Sequence, residues 1–550
     1  MTNNKRLSLW ALTVCFCATA QAQTPPDAGS LFKQLDRDLP TPPQHAPTAP
    51  PSMAPPTPQA DPTGSVIQVK RFHFTHNTGL STAELTALVA PYLNRPLTFS
   101  ELQNAAADVA RFYQQRGWLV YALYPEQDIT EGEITMQVRQ ASFGGLRIDQ
   151  GATRLSNTRI AKTIEHAITG QAPLLHELDR GLSLANDLPG VSVRSSLEKG
   201  QTENTVQTRL QVIDQALVQA NVSADNQGSR STGQYRLLGQ ISLNGLNSWA
   251  DRATLTSVTS KGLDYTQLAY SLPIGYRGFR LGLHTSDLQY TLVEDSFSSA
   301  NAKGDFQSTG LDASYPLVRN TFKNLIAFGT IEKKDFENTS DSAITSQYNT
   351  RVASVGVSGS RIHPIQNNTL REGTLSTSVG MLHAAVPFAM QKHFGKTNYS
   401  FSEQQQIKPN LSIRGAIQGQ HSKDALDSSE KFYLGGPQGV RAYPANEGSA
   451  SNGRIAKLEI IQHLQRNLTL TGFYDWGKLS PRSSEVFLTQ GAYILKGAGL
   501  SLQWLTQTGF SLEATWAQRI GHNPNPSSTG SDQDGTKKVD RVWLSARLRF

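Results

Sequence analysis

Arg441 and Asp475 are the two side chains whose surroundings most plainly call for a partner. Arg441 lies in Leu434-Gly435-Gly436-Pro437-Gln438-Gly439-Val440-Arg441-Ala442-Tyr443-Pro444, a stretch with three glycines and two prolines. That composition makes a tightly turning loop rather than a strand. The loop presents a guanidinium between apolar neighbours, beside Tyr443. Asp475 stands in Phe473-Tyr474-Asp475-Trp476-Gly477, an aromatic-rich segment that reads as a strand. A carboxylate in such company is expensive unless it is paired or wet. A guanidinium meets a carboxylate in a two-pronged geometry, which makes Arg441 its natural partner. The alternative is two unrelated residues, one in a solvated loop and one facing water.

Other combinations that suggest chemistry are incomplete. Gly356-Val357-Ser358-Gly359-Ser360 resembles a nucleophile elbow but lacks the second glycine at the required spacing. His73 and His76 form a pair with no third metal ligand in view. Gly530 to Lys537 suggests a phosphate loop, but Thr536-Lys537 reverses the needed order. Asp532, Asp534 and Gly535 hint at calcium without the remaining ligands, and a polar hairpin loop accounts for them. The expectation is therefore no enzyme, no catalytic residue, no metal and no cofactor. The net charge is +7, but the basic residues are scattered, so no nucleic-acid partner is expected.

The elements that position the pair come next. Hydrophobic residues make up 38% of the 550 and charged residues 17%, both low for a soluble globular chain. Ser, Thr, Asn, Gln and Gly fill the difference, which suits strands that are apolar on one face only. From about residue 216 onward, helical periodicity gives way to short alternating segments separated by polar turns. Phe510, Leu512, Ala514 and Trp516 alternate with polar or small residues. Val542, Leu544, Ala546, Leu548 and Phe550 alternate with a face carrying Arg541, Ser545, Arg547 and Arg549. Charges at every other position suit a wet lumen, with lipid on the opposite face. Leu272-Pro273-Ile274, Tyr315-Pro316-Leu317 and His363-Pro364-Ile365 are similar marks, spaced 43 and 48 residues apart. Proline belongs at strand ends. If each interval is one hairpin, residues 216–550 hold about 14 to 16 strands of a membrane barrel.

The first 215 residues are built differently. Lys5 and Arg6, the apolar run Leu7–Ala18 and Ala20-Gln21-Ala22 read as a signal peptide over 1–22. Both cysteines, Cys15 and Cys17, fall inside it. In residues 23–39, Ser30 is placed to cap a helix bearing Leu31, Phe32, Leu35 and Leu39, held to roughly ten residues by Pro26 and Pro40. Residues 40–64 carry ten prolines and read as an extended linker. Residues 65–140 follow the order β-α-α-β-β. Val66–Val69 begins a strand; Ser81/Glu84 and Thr98/Glu101 open the helices; Gly117 ends the second. Residues 141–215 repeat that order, so two copies of one unit stand in tandem.

These features together resemble the outer-membrane transporters of two-partner secretion, the TpsB type or ShlB/FhaC/HecB family. Tyr113-Gln114-Gln115-Arg116-Gly117-Trp118 with Tyr124-Pro125-Glu126-Gln127 looks like a first POTRA domain. Leu184-Ala185-Asn186-Asp187-Leu188-Pro189-Gly190-Val191 looks like a second. Val440-Arg441-Ala442-Tyr443, following Gly439, resembles the VRGY motif of a loop that folds into the barrel. Phe473, Asp475 and Gly477 match the F-x-D-x-G strand motif that family arginines meet. The resemblance implies two POTRA domains and a transmembrane antiparallel β-barrel of 16 strands, an α+β arm on an all-β membrane domain. It implies capture of an unfolded partner exoprotein in the periplasm by strand addition, then threading through the barrel. The cargo would be an adhesin, a cytolysin or a contact-dependent toxin. The other partners would be outer-membrane lipid and the barrel assembly machinery, with Leu548 and Phe550 as the assembly signal.

Two departures from the pattern carry expectations. Ala442 replaces the usual glycine, which would strain the loop if that position needs positive φ. The N-terminal helix would cover only about half of a 30 Å hydrocarbon core, so a partial or absent plug is expected. The main rival reading is a factor that inserts other barrels. A passive porin explains the barrel but not the two α/β modules.

Overall fold

A computed structural model of the chain describes residues 25–39, 52–53 and 66–550, apart from short segments at 77–79, 119, 130, 150–152, 170–174, 203–204, 295–300, 364–367, 385–391, 483–484, 486–490 and 528. The proposed signal peptide and most of the linker lie outside the described residues. Among the described residues no helix is long and apolar enough to cross a membrane.

Sixteen antiparallel strands close into a barrel. The first, Val218–Asp225, pairs with the last, Asp540–Arg549. The alternation read in the sequence sets the two faces. Trp543 turns inward and is buried, whereas Val542 and Leu544 turn outward and are about half exposed. The seam is short, with five residue pairs from Asn221↔Arg549 to Asp225↔Ser545. Beyond them, the Asn226 side chain takes over as both donor to Val542 O and acceptor from Leu544 N. Pro273 sits one residue from the end of Leu263–Ile274, and Pro316 at a register shift near the end of Lys303–Arg319. Pro364 lies outside the described residues.

The arm carries two small sheets, each covered by two helices. In the first, Arg71–Thr75 runs parallel to Glu133–Gln140, which pairs with Val120–Leu123. The sequence reading placed the opening strand at Val66–Val69. Instead Val66–Gln68 makes a separate small pairing with Pro96–Thr98, and Val69 is fully buried. The Phe72/Phe74 alternation turns the next segment into the sheet strand. Both capping boxes form: Ser81 N donates to Glu84, and Thr98 N donates to Glu101. In the second sheet, Ser142–Ile148 runs parallel to Thr205–Asp214, itself paired with Val191–Lys199. Its helices, Asn157–Glu165 and Leu175–Asn186, pack closely at Gly181, where a Cβ would sit 2.8 Å from the Ile164 carbonyl oxygen. Ser52–Met53, from the linker, adds in parallel to the edge strand of this sheet.

The second sheet's helices hold the barrel's arm-side turns. Arg319 meets Asp187 through Nε and Nη2, both at 2.8 Å, with the arginine only 3% exposed. Asp179 accepts from Thr321 Oγ1 at 2.7 Å. Arg180 donates to Pro316 O at 2.8 Å, and Arg159 to Pro273 O at 3.0 Å. Removing one member of a buried pair costs about 3–5 kcal/mol because the other charge is stranded. Arg319→Ala is therefore expected to loosen the arm. Double electron–electron resonance between labels at Glu165 and Asn410 would show a broadened distance distribution. An unchanged distribution would remove Arg319 from this role.

The N-terminal helix α1, Ala28–Asp38, lies inside the barrel. Its cap is Asp27 rather than Ser30: Ser30 N donates to Asp27 Oδ1, and Ser30 Oγ accepts from Asp27 N, a reciprocal box. Leu31, Phe32 and Leu35 are buried against the wall. Phe32 stacks on Phe306 with centroids 4.1 Å apart, and Phe306, Phe336 and Tyr348 continue the row at 5.0 and 4.7 Å. Each such apolar side chain contributes about 1.5–3 kcal/mol when fully buried. An absent plug, one of the two expectations from helix length, does not hold. The helix is eleven residues long and reaches from Asn338, which accepts from Ala28 N, to Arg236, which pairs with Asp38. The helix need not match the height of the membrane, because its partners are wall residues within the lumen.

Candidate functional site

The loop 423–452 connects strands Leu411–Ser422 and Gly453–Gln465 and folds back into the lumen. Short glycine-rich steps allow this. Gly439 N bonds to Gly436 O, and Val440 N to Leu434 O. A Cβ on Gly439 would lie 2.0 Å from the Leu434 carbonyl oxygen, so the turn excludes any side chain there. Val440, Ala442 and Tyr443 are buried.

The turn brings Arg441 onto Asp475. Arg441 Nη2 reaches Asp475 Oδ1 at 2.7 Å; Nε and the backbone N reach Oδ2 at 2.9 and 3.0 Å. Asp475 is fully buried, so the cost of its charge is met by three donors from one residue. The guanidinium carbon lies 3.4 Å from the Phe473 ring centroid. Burial pushes the Arg441 guanidinium toward releasing its proton, but Asp475 and Glu459 outweigh that and raise its pKa. The remaining motif residue, Gly477, makes room: a Cβ there would be 2.5 Å from Leu434 Cδ1 and 2.9 Å from Val440 Cγ2.

Ala442 carries no backbone strain, since it is not among the residues with positive φ. Its methyl group sits over Gly497, where a Cβ would approach it to 2.5 Å. The departure from VRGY is thus accommodated by a glycine on the wall. Tyr443 lies under the Arg519 guanidinium, 4.9 Å from ring centroid to Cζ.

Sequence reasoning missed several partners. Glu459 takes the second Arg441 contact at 3.0 Å, and Trp543 Nε1 donates to Arg441 O at 2.8 Å. A signal existed: Trp543 is a large aromatic on the otherwise polar face of its strand. A second anchor is Glu430, which pairs with Lys334 at 2.9 Å and Lys396 at 2.5 Å. Burial alone would raise the Glu430 carboxyl, but those two ammonium groups hold it well below the usual range. The loop also grips α1. Ser428 Oγ donates to Asp27 at 2.8 Å, Arg37 donates to Tyr433 O at 3.1 Å, and Asn446 donates to Gln34 at 3.1 Å. Wall, helix, loop and opposite wall therefore form one connected stack. Beneath it is a polar cavity of about 510 Å³ lined by residues including Asp38, Arg236, Arg414, Lys457 and Glu459.

The other candidates fall elsewhere. Asp532 and Asp534, which hinted at calcium, are counter-ions: Asp532 meets Arg519 and Arg541, and Asp534 meets Arg541. They surround Glu447 of the loop, which accepts from Asn523 Nδ2 at 2.7 Å and Gln533 N at 2.8 Å. His73 pairs with Glu133 on the neighbouring parallel strand. His76 is a turn residue with φ of 61°. Ser358 lies within the strand Ala343–His363 and hydrogen-bonds across to Thr374. Leu548 and Phe550 face outward at the end of the last strand, and Phe550 N donates to Ala220 O.

Glu447 gives a pH-dependent expectation. Burial pushes its carboxyl up to about 7, opposed by the two hydrogen bonds and reinforced by Asp532 and Asp534. The native state then keeps a proton that the released loop loses. The resulting stabilisation is full below the usual carboxylate range and is lost as pH rises toward about 7. The contact between loops 423–452 and 520–539 should accordingly weaken from pH 5 to pH 8. Spin labels at Ala445 and Asn525 would report a wider distance at the higher pH. A pH-independent distance, or the same shift in Glu447→Gln, would rule Glu447 out.

The comparisons with known proteins agree with this geometry. The family model described as haemolysin secretion/activation protein ShlB/FhaC/HecB matches residues 206–504, and that for a ShlB-type POTRA domain matches 67–140. A heme/hemopexin transporter protein, HuxB of Haemophilus influenzae, is 27% identical over 82% of this chain and 83% of its own. The outer membrane transporter CdiB of Dickeya dadantii is 24% identical over 81% and 82%. Among solved structures, CdiB from Escherichia coli superposes with a TM-score of 0.66 at 22% identity, covering 91% of this chain and 94% of that one. BamA from Haemophilus ducreyi lacking POTRA domains 1–3 shares the fold more distantly, with a TM-score of 0.55 at 10% identity over 88% and 100% of the chains. With over half of its length matched, the chain belongs to the ShlB/FhaC/HecB family: an outer-membrane β-barrel with periplasmic POTRA domains that secretes a partner protein by the two-partner route.

Proposed function

We propose that this pore rests closed, and that α1 and the loop 423–452 are the two parts that move when cargo arrives. The observation that carries the reading is their direct union through Asp27–Ser428, Arg37–Tyr433 and Gln34–Asn446. Arg441–Asp475 fastens the loop to the wall. Gly439, Val440, Ala442 and Tyr443 shape its turn, and Phe473 and Gly477 receive it.

The domain limits we assign are 1–22 for the signal peptide, 23–39 for the helix region and 40–64 for the linker. Residues 65–140 and 141–215 form the POTRA domains, and 216–550 the barrel. The arm captures the unfolded exoprotein by strand addition to a sheet edge. The exoprotein is an adhesin, a cytolysin or a contact-dependent toxin; the relative named a heme/hemopexin transporter adds haem acquisition to these readings. We assign the chain no catalytic step. Leu548 and Phe550, outward at the C-terminus, suit recognition by the barrel assembly machinery.

A disulfide tests the release step. A Cβ on Gly29 would lie 2.4 Å from Ser428 Oγ, so Gly29→Cys with Ser428→Cys places two thiols together. Both natural cysteines precede residue 23. The oxidised double variant should fail to export its partner, and reduction should restore export. Equal export in both states would show that helix and loop need not part.

A further inference from the structure

The outward wall of the barrel carries an unbalanced row of cations on its periplasmic side. Cross-strand register places Lys323 opposite Arg361, Arg361 opposite Arg371, and Arg371 opposite Glu403. Odd-numbered residues on these strands point away from the lumen. Ile331 and Val355 on that face are each 66% exposed, whereas Lys334, Phe336, Thr350 and Val352 on the other face are buried. The row therefore faces lipid or its boundary.

Its height follows from the strand Lys323–Ser340. Outward residues Leu325, Ala327, Gly329 and Ile331 are apolar, with Lys323 below and Lys333 above. Ten residues along a strand cover about 33 Å, and a tilt near 40° reduces this to about 25 Å of height. That is the thickness of the apolar band on an outer-membrane barrel, so both lysines sit at its edges. The two edges differ in charge balance. On the upper edge Lys333 and Arg351 stand opposite each other, but Lys333 is paired with Asp335 at 2.8 Å, and Glu337 and Asp305 follow on the same outward face. Of the three cations in the periplasmic row, Arg371 is paired with a carboxylate, Glu403 at 2.8 Å. Among the described residues neither Lys323 nor Arg361 makes an ion pair. Three cations thus face one carboxylate, and like charges directly across a ladder are destabilising.

Immediately above the cations, the next outward row is Leu325, Gly359, Gly373 and Phe401. Two glycines form a floor between an aliphatic and an aromatic wall. A Cβ on Gly359 would meet Leu325 Cδ1 at 3.2 Å, and one on Gly373 would meet Phe401 Cδ2 at 3.6 Å. The result is a shallow apolar trough ending in a cationic row. Next to it is the turn at Thr321, which the second POTRA domain holds through Asp179.

We propose that Lys323, Arg361 and Arg371, with the Gly359–Gly373 floor, form a binding site for one anionic glycerophospholipid of the periplasmic leaflet. The phosphate would neutralise the row, and an acyl chain would lie in the trough. The site lies on the outer wall, apart from the lumen and the loop that closes it. Its occupant shares the chemistry of free phosphate, but the trough gives a reason for the chain.

Native mass spectrometry of the full-length protein, released from detergent with phosphatidylglycerol or phosphatidylethanolamine, tests this. Wild type should retain phosphatidylglycerol in preference. Each cation removed should weaken retention about fivefold, from the usual contribution of one basic residue at a charged membrane surface. Lys323→Gln with Arg361→Gln should abolish the preference, and Lys333→Gln on the opposite edge should leave it intact. Heat-modifiable migration shows that each variant is folded, and Arg361→Gln alone serves if the double variant is not. Equal retention of both lipids, or undiminished preference in a folded variant, would overturn the site. So would complete displacement by millimolar inorganic phosphate, which would identify a plain anion site.

Discussion

Arg441→Ala is expected to cut export of the partner protein by at least tenfold while the barrel still reaches the outer membrane. The substitution removes the two side-chain donors from fully buried Asp475 and one from Glu459, leaving Asp475 only the backbone N of residue 441. Asp475 is then left opposite Lys457 on the neighbouring strand, while Glu459 keeps Arg414 at 3.7 Å. Stranding a buried charge costs about 3–5 kcal/mol, more than enough to shift a docked loop to a released one. Barrel closure depends instead on the sixteen-strand ladder, which the substitution does not touch. Asp475→Asn should be milder, because an amide can still accept from Arg441 N. Secreted cargo and heat-modifiable barrel, measured in the same cells, separate the two effects. Full export by Arg441→Ala, or loss of folded barrel in proportion to export, would contradict the lock.

Deleting residues 27–38 should raise single-channel conductance several-fold in planar bilayers. The sequence pointed to a modest change, on the ground that ten residues cannot span the membrane. In the lumen, however, α1 fills the space between the aromatic row Phe306–Phe336–Tyr348 and the loop 423–452. Its removal empties that layer and leaves Asp427 without the opposing Asp27. Burial and Asp27 together hold the Asp427 carboxyl up at about 6, so the deletion should also let it ionise at lower pH. An unchanged conductance would mean that the loop alone closes the pore.

The legible parts of this molecule were those governed by period and turn chemistry. Alternation at 542–550 fixed the faces of the last strand, because a charged residue cannot face lipid and an apolar one gains by doing so. Ser81/Glu84 and Thr98/Glu101 announced helix starts because the reciprocal bonds are local. The Arg441–Asp475 meeting was suggested by cost: each residue was too expensive in its setting alone. What stayed hidden depends on which strands become neighbours. Nothing near Glu430 in the sequence points to Lys334 or Lys396, which lie 96 and 34 residues away. The acidic loop at 532–534 looked like a cation site because Arg519 and Arg541 come together only when the last hairpin closes. A strand does form at Val66–Gln68, but the main-sheet strand Arg71–Thr75 beside it was not read, since β propensity alone could not tell a small pairing from the main sheet.

The central claim is that this chain exports a partner, and the direct measurement is secretion. Cells would express a candidate partner exoprotein with the intact chain, without it, and with the arm 65–215 deleted. The account predicts exoprotein in the medium or on the surface only with the intact chain, while other outer-membrane barrels stay at normal levels. Undiminished export without the chain, with other barrels lost instead, would contradict it and make the protein an assembly factor.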